Sequence, residues 1–311
     1  MKKVLSLILA VAMLATAATL LSACGGNPKD TTGSKDTTDG KNTTAGNSTT
    51  AIVTTAESTT AAPTLEKDGF LALNGKTVSF QSGTTAQDKM EELNNSGTIK
   101  AILKPNEQMA TAFEMLKNGE IDAVVVDSTV ADGYVAKNPD KFKVAYLQKD
   151  APEQFAIAIP KGATAIKTAI NAAMAELEAE GFMSAVYDKW FGSGADVTMP
   201  TAKSENIDTT ALTLVTAGTL TVGSEMGYEP FEFKAENGDY VGFDIDVATA
   251  ISVKLGLNIH FVDRSFDVVF KGMGADYDVV MAAVTIDPVR MEQMDFSTPY
   301  MDNYLAIVVA K

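Results

Sequence analysis

The chain has 311 residues, 46% hydrophobic and 21% charged, which is enough for two globular domains. Its formal charge of −15 argues against nucleic acid as a partner, because phosphates select basic surfaces. A single cysteine (Cys24) rules out an internal disulfide or a thiolate metal cage, and a single histidine (His260) rules out a histidine cluster, so no metal or cofactor is expected.

Residues 1–24 read as an export signal. Met1-Lys2-Lys3 is a basic start, and Val4 to Leu21 is an apolar run broken only by Ser6, Thr16 and Thr19. The run ends in Leu21-Ser22-Ala23-Cys24, which resembles the lipobox of bacterial lipoproteins; that resemblance implies acylation of Cys24 and cleavage before it. Residues 25–69 follow, dominated at first by Thr, Ser, Gly, Asn, Asp, Lys and Ala, with recurrent Thr-Thr pairs. Such a stretch buries too little apolar surface to offset its chain entropy, so it reads as a tether. A flexible tether of this size spans on the order of 35 Å.

From residue 70 onward strand-like and helix-like segments alternate, the pattern of an α/β chain. Lys76 to Phe80 reads as a strand, and Thr84 with Gln87 as a capping box opening a helix. A helix is expected over 107–117, stopped by Asn118-Gly119, and a fully apolar strand over 121–126 that ends at Asp127. Ile166, Ile170, Ala173, Met174 and Leu177 mark one face of a helix ended by Gly181. Leu220 and Val222 lie on a strand that ends near Glu225, and Ile245, Ala248, Ile251 and Leu255 repeat at helical spacing up to Gly256. Residues 277–284 read as another strand, after which Asp287-Pro288 marks an N-cap and a proline at the first helical position.

Glu225, Thr285, the Gln81–Thr85 turn and Asp127 each follow the carboxyl end of an expected strand, where open α/β sheets bind ligands. Their chemistry suits a molecule that carries both a carboxylate and an ammonium. Arg290 supplies a planar guanidinium, and the free N–H groups at Thr84 and Thr85 form a second anion site at a helix start. Asp127, Thr285 and the carbonyl of Ala283 supply acceptors for the ammonium. Plainer roles stay open: a surface ion pair of Arg290 with Glu292 or Asp295, an ordinary loop or cap role for Asp127, and simple helix capping by Thr84.

Three groups of residues carry a family resemblance. The first is Leu220-Thr221-Val222-Gly223-Ser224-Glu225 with Tyr228-Glu229-Pro230-Phe231-Glu232-Phe233 and Gly242-Phe243-Asp244-Ile245-Asp246. The second is Val284-Thr285-Ile286-Asp287-Pro288-Val289-Arg290 with Asp295-Phe296-Ser297-Thr298-Pro299-Tyr300, and the third is Gln81–Thr85, Asp127 and Lys189-Trp190-Phe191-Gly192. Together they resemble the family 3 extracellular solute-binding proteins, the amino-acid receptors of bacterial ABC importers. The resemblance implies a two-lobed, periplasmic-binding-protein-like type II fold of class α/β with a ligand cleft between the lobes. It also implies an aromatic clamp of Tyr228 and Phe266, and an acid, Glu225, facing a polar or cationic side chain. For the two rings core packing stays open, and for Glu225 a solvated strand end.

The order of these segments departs from the family. The segment resembling the family's end, at 189–192, precedes the one resembling its beginning, at 219–225. This implies a circular permutant in which 193–218 is the joining linker. The expected domains are then a smaller lobe over 70–150 and a larger lobe over 151–311, crossed covalently near Lys149–Phe155. The run Tyr304–Ala310 is expected to pair as a strand, because its apolar backbone has few other partners.

The implied activity is capture of an L-amino acid (arginine, lysine, histidine or glutamine) outside the cytoplasm, by a lipid-anchored receptor that serves an ABC transporter permease without catalysis. Two alternatives stay open: a ligand-sensing ectodomain acting with a separate signalling partner, and a dehydratase-type enzyme in which Glu225 or Asp127 supplies a general acid.

Overall fold

The computed structural model describes residues 64–311. The expected signal segment, Cys24 and most of the expected tether lie outside these residues, while Leu65–Asp68, expected to belong to the tether, is already helical. In chain order the elements of the smaller lobe are α1 (Leu65–Asp68), β1 (Thr77–Gln81), α2 (Thr85–Asn95), β2 (Ile102–Asn106), α3 (Met109–Lys117), β3 (Ala123–Asp127), α4 (Ser128–Lys137) and β4 (Phe142–Leu147). A short strand β5 (Glu153–Phe155) crosses to the larger lobe. There β6 (Ala158–Pro160), α5 (Thr164–Ala179) and α6 (Phe182–Phe191) precede β7 (Thr219–Ser224), β8 (Gly227–Tyr228), β9 (Glu232–Lys234), β10 (Tyr240–Val241) and α7 (Phe243–Leu255). They are followed by β11 (Asn258–Asp263), α8 (Phe266–Val269), β12 (Val279–Val280), α9 (Pro288–Gln293), β13 (Met294–Phe296), β14 (Met301–Asn303) and β15 (Leu305–Ala310).

Each lobe is built on a five-stranded sheet. The smaller has the order β2-β1-β3-β15-β4 and the larger β11-β7-β12-β6-β13. In both, the inner strands run parallel and one antiparallel strand is inserted: β15 beside β3 and β4, and β6 beside β12 and β13. These inserted strands continue the two crossings, β14 and β5, which pair antiparallel with Asn303 opposite Glu153. The strand expected over Tyr304–Ala310 therefore forms at Leu305–Ala310. It sits in the smaller lobe's sheet although it belongs in sequence to the 151–311 run.

The patterning follows from burial. β3 reads Ala-Val-Val-Val-Asp and is buried along its whole length, as a parallel strand covered on both faces must be. One apolar cluster joins Phe113 and Val130 of the smaller lobe to Phe155, Phe231 and Phe243 near the crossing, each contributing about 1.5–3 kcal/mol by burial. Two further clusters fill the other side of each sheet.

The strand expected over 277–284 is cut to Val279–Val280, since Ala283 turns the backbone into the left-handed region (φ 46°). The helix expected over 107–117 starts at Met109, with Gln108 still extended. Residues 193–218 lie against the larger lobe. Val197, Met199, Ile207, Leu212 and Leu214 pack on its core, and Ser204 N–H donates to the carbonyl of Lys254 at 2.8 Å. No helix among the described residues is long and apolar enough to cross a membrane.

Candidate functional site

The carboxyl ends of β1 and β3 in one lobe face those of β7 and β12 in the other. Between them is a cleft lined by Gln81, Thr84, Thr85, Asp127, Tyr228, Phe266, Ala282, Ala283, Thr285 and Arg290. Among the described residues, all the sequence-predicted site residues except Glu225 thus meet on one surface. Glu225 sits behind it, buried rather than solvated, and accepts from Gln81 Nε2 at 3.0 Å across the two lobes.

Arg290 is held by the helix start that precedes it. Asp287 caps α9, accepting from the N–H groups of Val289 (2.8 Å) and Arg290 (3.0 Å), while its other oxygen lies 3.1 Å from Arg290 Nε. The ion pair is therefore with Asp287 and not with Glu292 or Asp295. The guanidinium also lies against the rings of Phe266 and Phe270, each ring centre 5.5 Å away. Nη1 donates to the carbonyl of Thr285 at 2.9 Å and Nη2 to that of Gly83 at 3.0 Å. An N–H remains on each terminal nitrogen, the fork that matches a carboxylate.

On the opposite wall Thr84 caps α2. Its Oγ1 donates to the carbonyl of Gln81 (2.7 Å) and accepts from Gln87 N–H (3.4 Å), while Gln87 Oε1 accepts from Gly83 N–H (2.8 Å). The expected capping box is therefore shifted by one residue, because the glutamine serves Gly83 and not the N–H of Thr84. Gly83 has a positive φ, and a Cβ there would lie 3.0 Å from Asp267 Cα of the other lobe, so a side chain would hold the lobes apart.

Asp127 ends β3 and is buried. It accepts from the Tyr228 hydroxyl of the larger lobe and, at 2.5 Å, from Asn303 Nδ2 on the second crossing. Burial, reinforced by the nearby charge of Glu153, pushes its carboxyl up to about 7. Glu153, on the first crossing, accepts from Thr285 Oγ1 at 3.2 Å and Asn303 Nδ2 at 3.4 Å, and burial raises it as well. Glu225 is pushed up to about 7 by burial. Burial also lowers Arg290, an effect that the charge of Asp287 opposes.

Sequence reasoning missed Glu153, Asn303, Asp287 as guanidinium partner, and Gln81 as an individual side chain. Glu153 was nonetheless signalled by its place in the expected crossing, where a polar residue must face the cleft. Among the described residues no group of His, Cys, Asp and Glu is arranged to hold a metal ion. In chemical terms the cleft offers a paired cation on one wall, the acid Asp127 on the other, a second acid on the crossing and aromatic faces between, an arrangement suited to a small zwitterion.

Residues 220–311 match the bacterial extracellular solute-binding proteins, family 3. A probable amino-acid ABC transporter-binding protein of Haemophilus influenzae is 36% identical over 92 residues, covering 29% of this chain and 35% of that protein. Cyclohexadienyl dehydratase of Pseudomonas aeruginosa is 32% identical over 89 residues, 28% of this chain and 33% of that protein. Among solved structures, an ancestral arginine-binding protein bound to arginine shares 48% identity over 27% of this chain and 38% of its own, with a TM-score of 0.27. The chain spans about a third of the length of these curated relatives. Over residues 220–311, the chain is similar to the bacterial extracellular solute-binding proteins of family 3.

Proposed function

We propose that the protein captures an L-amino acid between its lobes and presents it to an ABC transporter. The observation that carries this reading is the placement of Arg290 and Asp127 on opposite walls of one cleft. The ligand's carboxylate meets the guanidinium and the N–H groups at Thr84 and Thr85. Its ammonium meets Asp127, Thr285 and the Ala283 carbonyl. Tyr228 and Phe266 flank the side chain, and Glu225 with Gln81 favours a polar or cationic end. Because the contacts come from both lobes, ligand binding favours the closed state.

Calorimetry with the twenty amino acids tests this directly. Binding of arginine, lysine, histidine or glutamine is the expected result, and no binding of any amino acid would reject the reading.

The same reading includes a lipid anchor at Cys24, an extracytoplasmic location and a circularly permuted chain order. The order of segments supports the permutation, since the one resembling the family's end, at 189–192, precedes the one resembling its beginning, at 219–225. A rearranged gene that opens the chain within 193–218 and joins Lys311 to residue 70 should yield a protein of equal affinity.

A second reading, dehydration of a cyclic carboxylate, is favoured by the raised carboxyls of Asp127 and Glu225 and by the similarity to a dehydratase. Turnover of a cyclohexadienyl carboxylate would establish it. Under our reading none occurs.

A further inference from the structure

The cleft wall at Ala282–Ala283 rests on a buried acid pair that the binding scheme does not use. Ala283 is the non-glycine residue with positive φ among the described residues, a conformation that strains an L-residue with a Cβ. Something must hold it there. Its N–H donates to Asp244 Oδ2 at 2.8 Å, and the Tyr300 hydroxyl donates to the same oxygen at 2.9 Å. Asp244 lies in the first turn of α7 and is completely buried.

The other oxygen of Asp244 meets no N–H or O–H, and neither does either oxygen of Glu232, which is completely buried on β9. The backbone sets the two acids side by side: the Asp244 N–H donates to the carbonyl of Phe231, the residue before Glu232, at 2.9 Å, and each carboxyl shifts the other's titration. Two bare carboxylates cannot face each other in an apolar interior, particularly with the charges of Glu225 and Asp127 also nearby. One proton removes the conflict. It belongs on Glu232, because Asp244 already accepts two hydrogen bonds that favour its charged form, and Glu232 has no other donor.

We propose that Glu232 is a protonated carboxylic acid donating to ionised Asp244, and that Asp244 is thereby a positioning residue, holding the left-handed turn of Ala283 that shapes the ligand cleft. Glu232 and Asp244 act through the backbone and touch no ligand. The link to binding rests on the function proposed above, while the proton and the turn do not. Burial raises both groups, Asp244 to about 7 and Glu232 well beyond the usual carboxyl range, with the neighbouring acid adding to the rise of Glu232.

The test uses the whole protein, first without ligand. Infrared spectra of wild type at about pH 8, where an ordinary carboxyl is ionised, should show a protonated-carboxyl band that E232Q removes. The Ala283 amide proton, shifted by its carboxylate partner in nuclear magnetic resonance spectra, should stay in place in E232Q, whose amide still donates, and move in E232L and D244N. Calorimetry with L-arginine should then give affinity within threefold of wild type for E232Q and at least a tenfold loss for D244N.

Absence of the infrared band, or an Ala283 amide unchanged in D244N, would overturn the proposal. If E232L does not fold, the infrared band and E232Q still decide it. If no variant and not even the wild type binds arginine while band and amide behave as stated, the functional reading fails and the acid pair stands.

Discussion

Arg290 of the larger lobe donates through Nη2 to the backbone carbonyl of Gly83 in the smaller lobe at 3.0 Å. The group expected to hold a ligand carboxylate therefore also ties the two walls together. Removing it takes away a ligand contact and a closure contact at once.

Arg290→Ala should lower affinity for the amino acid that binds wild type by at least a hundredfold, as expected when one partner of a buried pair is lost at a cost of about 3–5 kcal/mol. Calorimetry reads this out, and affinity within threefold of wild type would remove Arg290 from the site. Arg290→Lys should recover little, because an ammonium cannot bridge Asp287, Thr285 and Gly83 in one plane.

Glu153 tests whether the ammonium end is shared by two acids. Its carboxyl accepts from Thr285 and Asn303, bonds that a glutamine oxygen can also accept. Glu153→Gln should therefore fold normally yet bind about tenfold more weakly, about 1.4 kcal/mol, because a charge facing the ammonium is gone. Unchanged affinity would show that Asp127 serves alone.

Stability and affinity should respond to pH in opposite directions. Burial pushes Asp127, Glu225 and Asp244 each up to about 7, so the folded chain keeps protons that the unfolded chain releases from about pH 4 upward. Their contribution to stability is complete below the unfolded values and is lost as pH rises through about 7. Asp122, held low by the Thr77 N–H, contributes in the other sense and loses its stabilisation in acid. The urea midpoint of the ligand-free protein should thus be higher near about pH 5 than near about pH 8. Binding an ammonium requires ionised Asp127, so affinity should rise across the same interval. A urea midpoint that rises from about pH 5 to about pH 8 would contradict the burial of these acids.

β15 lies in the interior of its sheet, between β3 and β4, with Ile307 opposite Val125 on one side and Tyr146 on the other. Amides of Ala306–Val308 should exchange as slowly as those of β3, and a chain shortened after Tyr304 should lose the cooperative unfolding of the smaller lobe. Rapid exchange at these amides would mean that the terminal strand is not docked.

Local residue chemistry was enough to read the α/β alternation, the helix start at Asp287-Pro288 and the polar strand ends, because period, caps and burial pattern are properties of neighbouring residues. It was also enough to nominate Arg290, Asp127, Thr285 and the Thr84–Thr85 turn, since strand ends in α/β sheets are where backbone and polar side chains face a crevice. The rest depends on residues far apart in the chain. Gln81 meets Glu225, Tyr228 meets Asp127 and Asn303 lies opposite Glu153 because the sheets and the crossing bring them together. Glu232 and Asp244 could be read only as one residue in a run and another at a helix start until packing buried them side by side. Burial is a property of the assembled core, and it is burial that turns an ordinary surface acid into one that must find a partner or a proton.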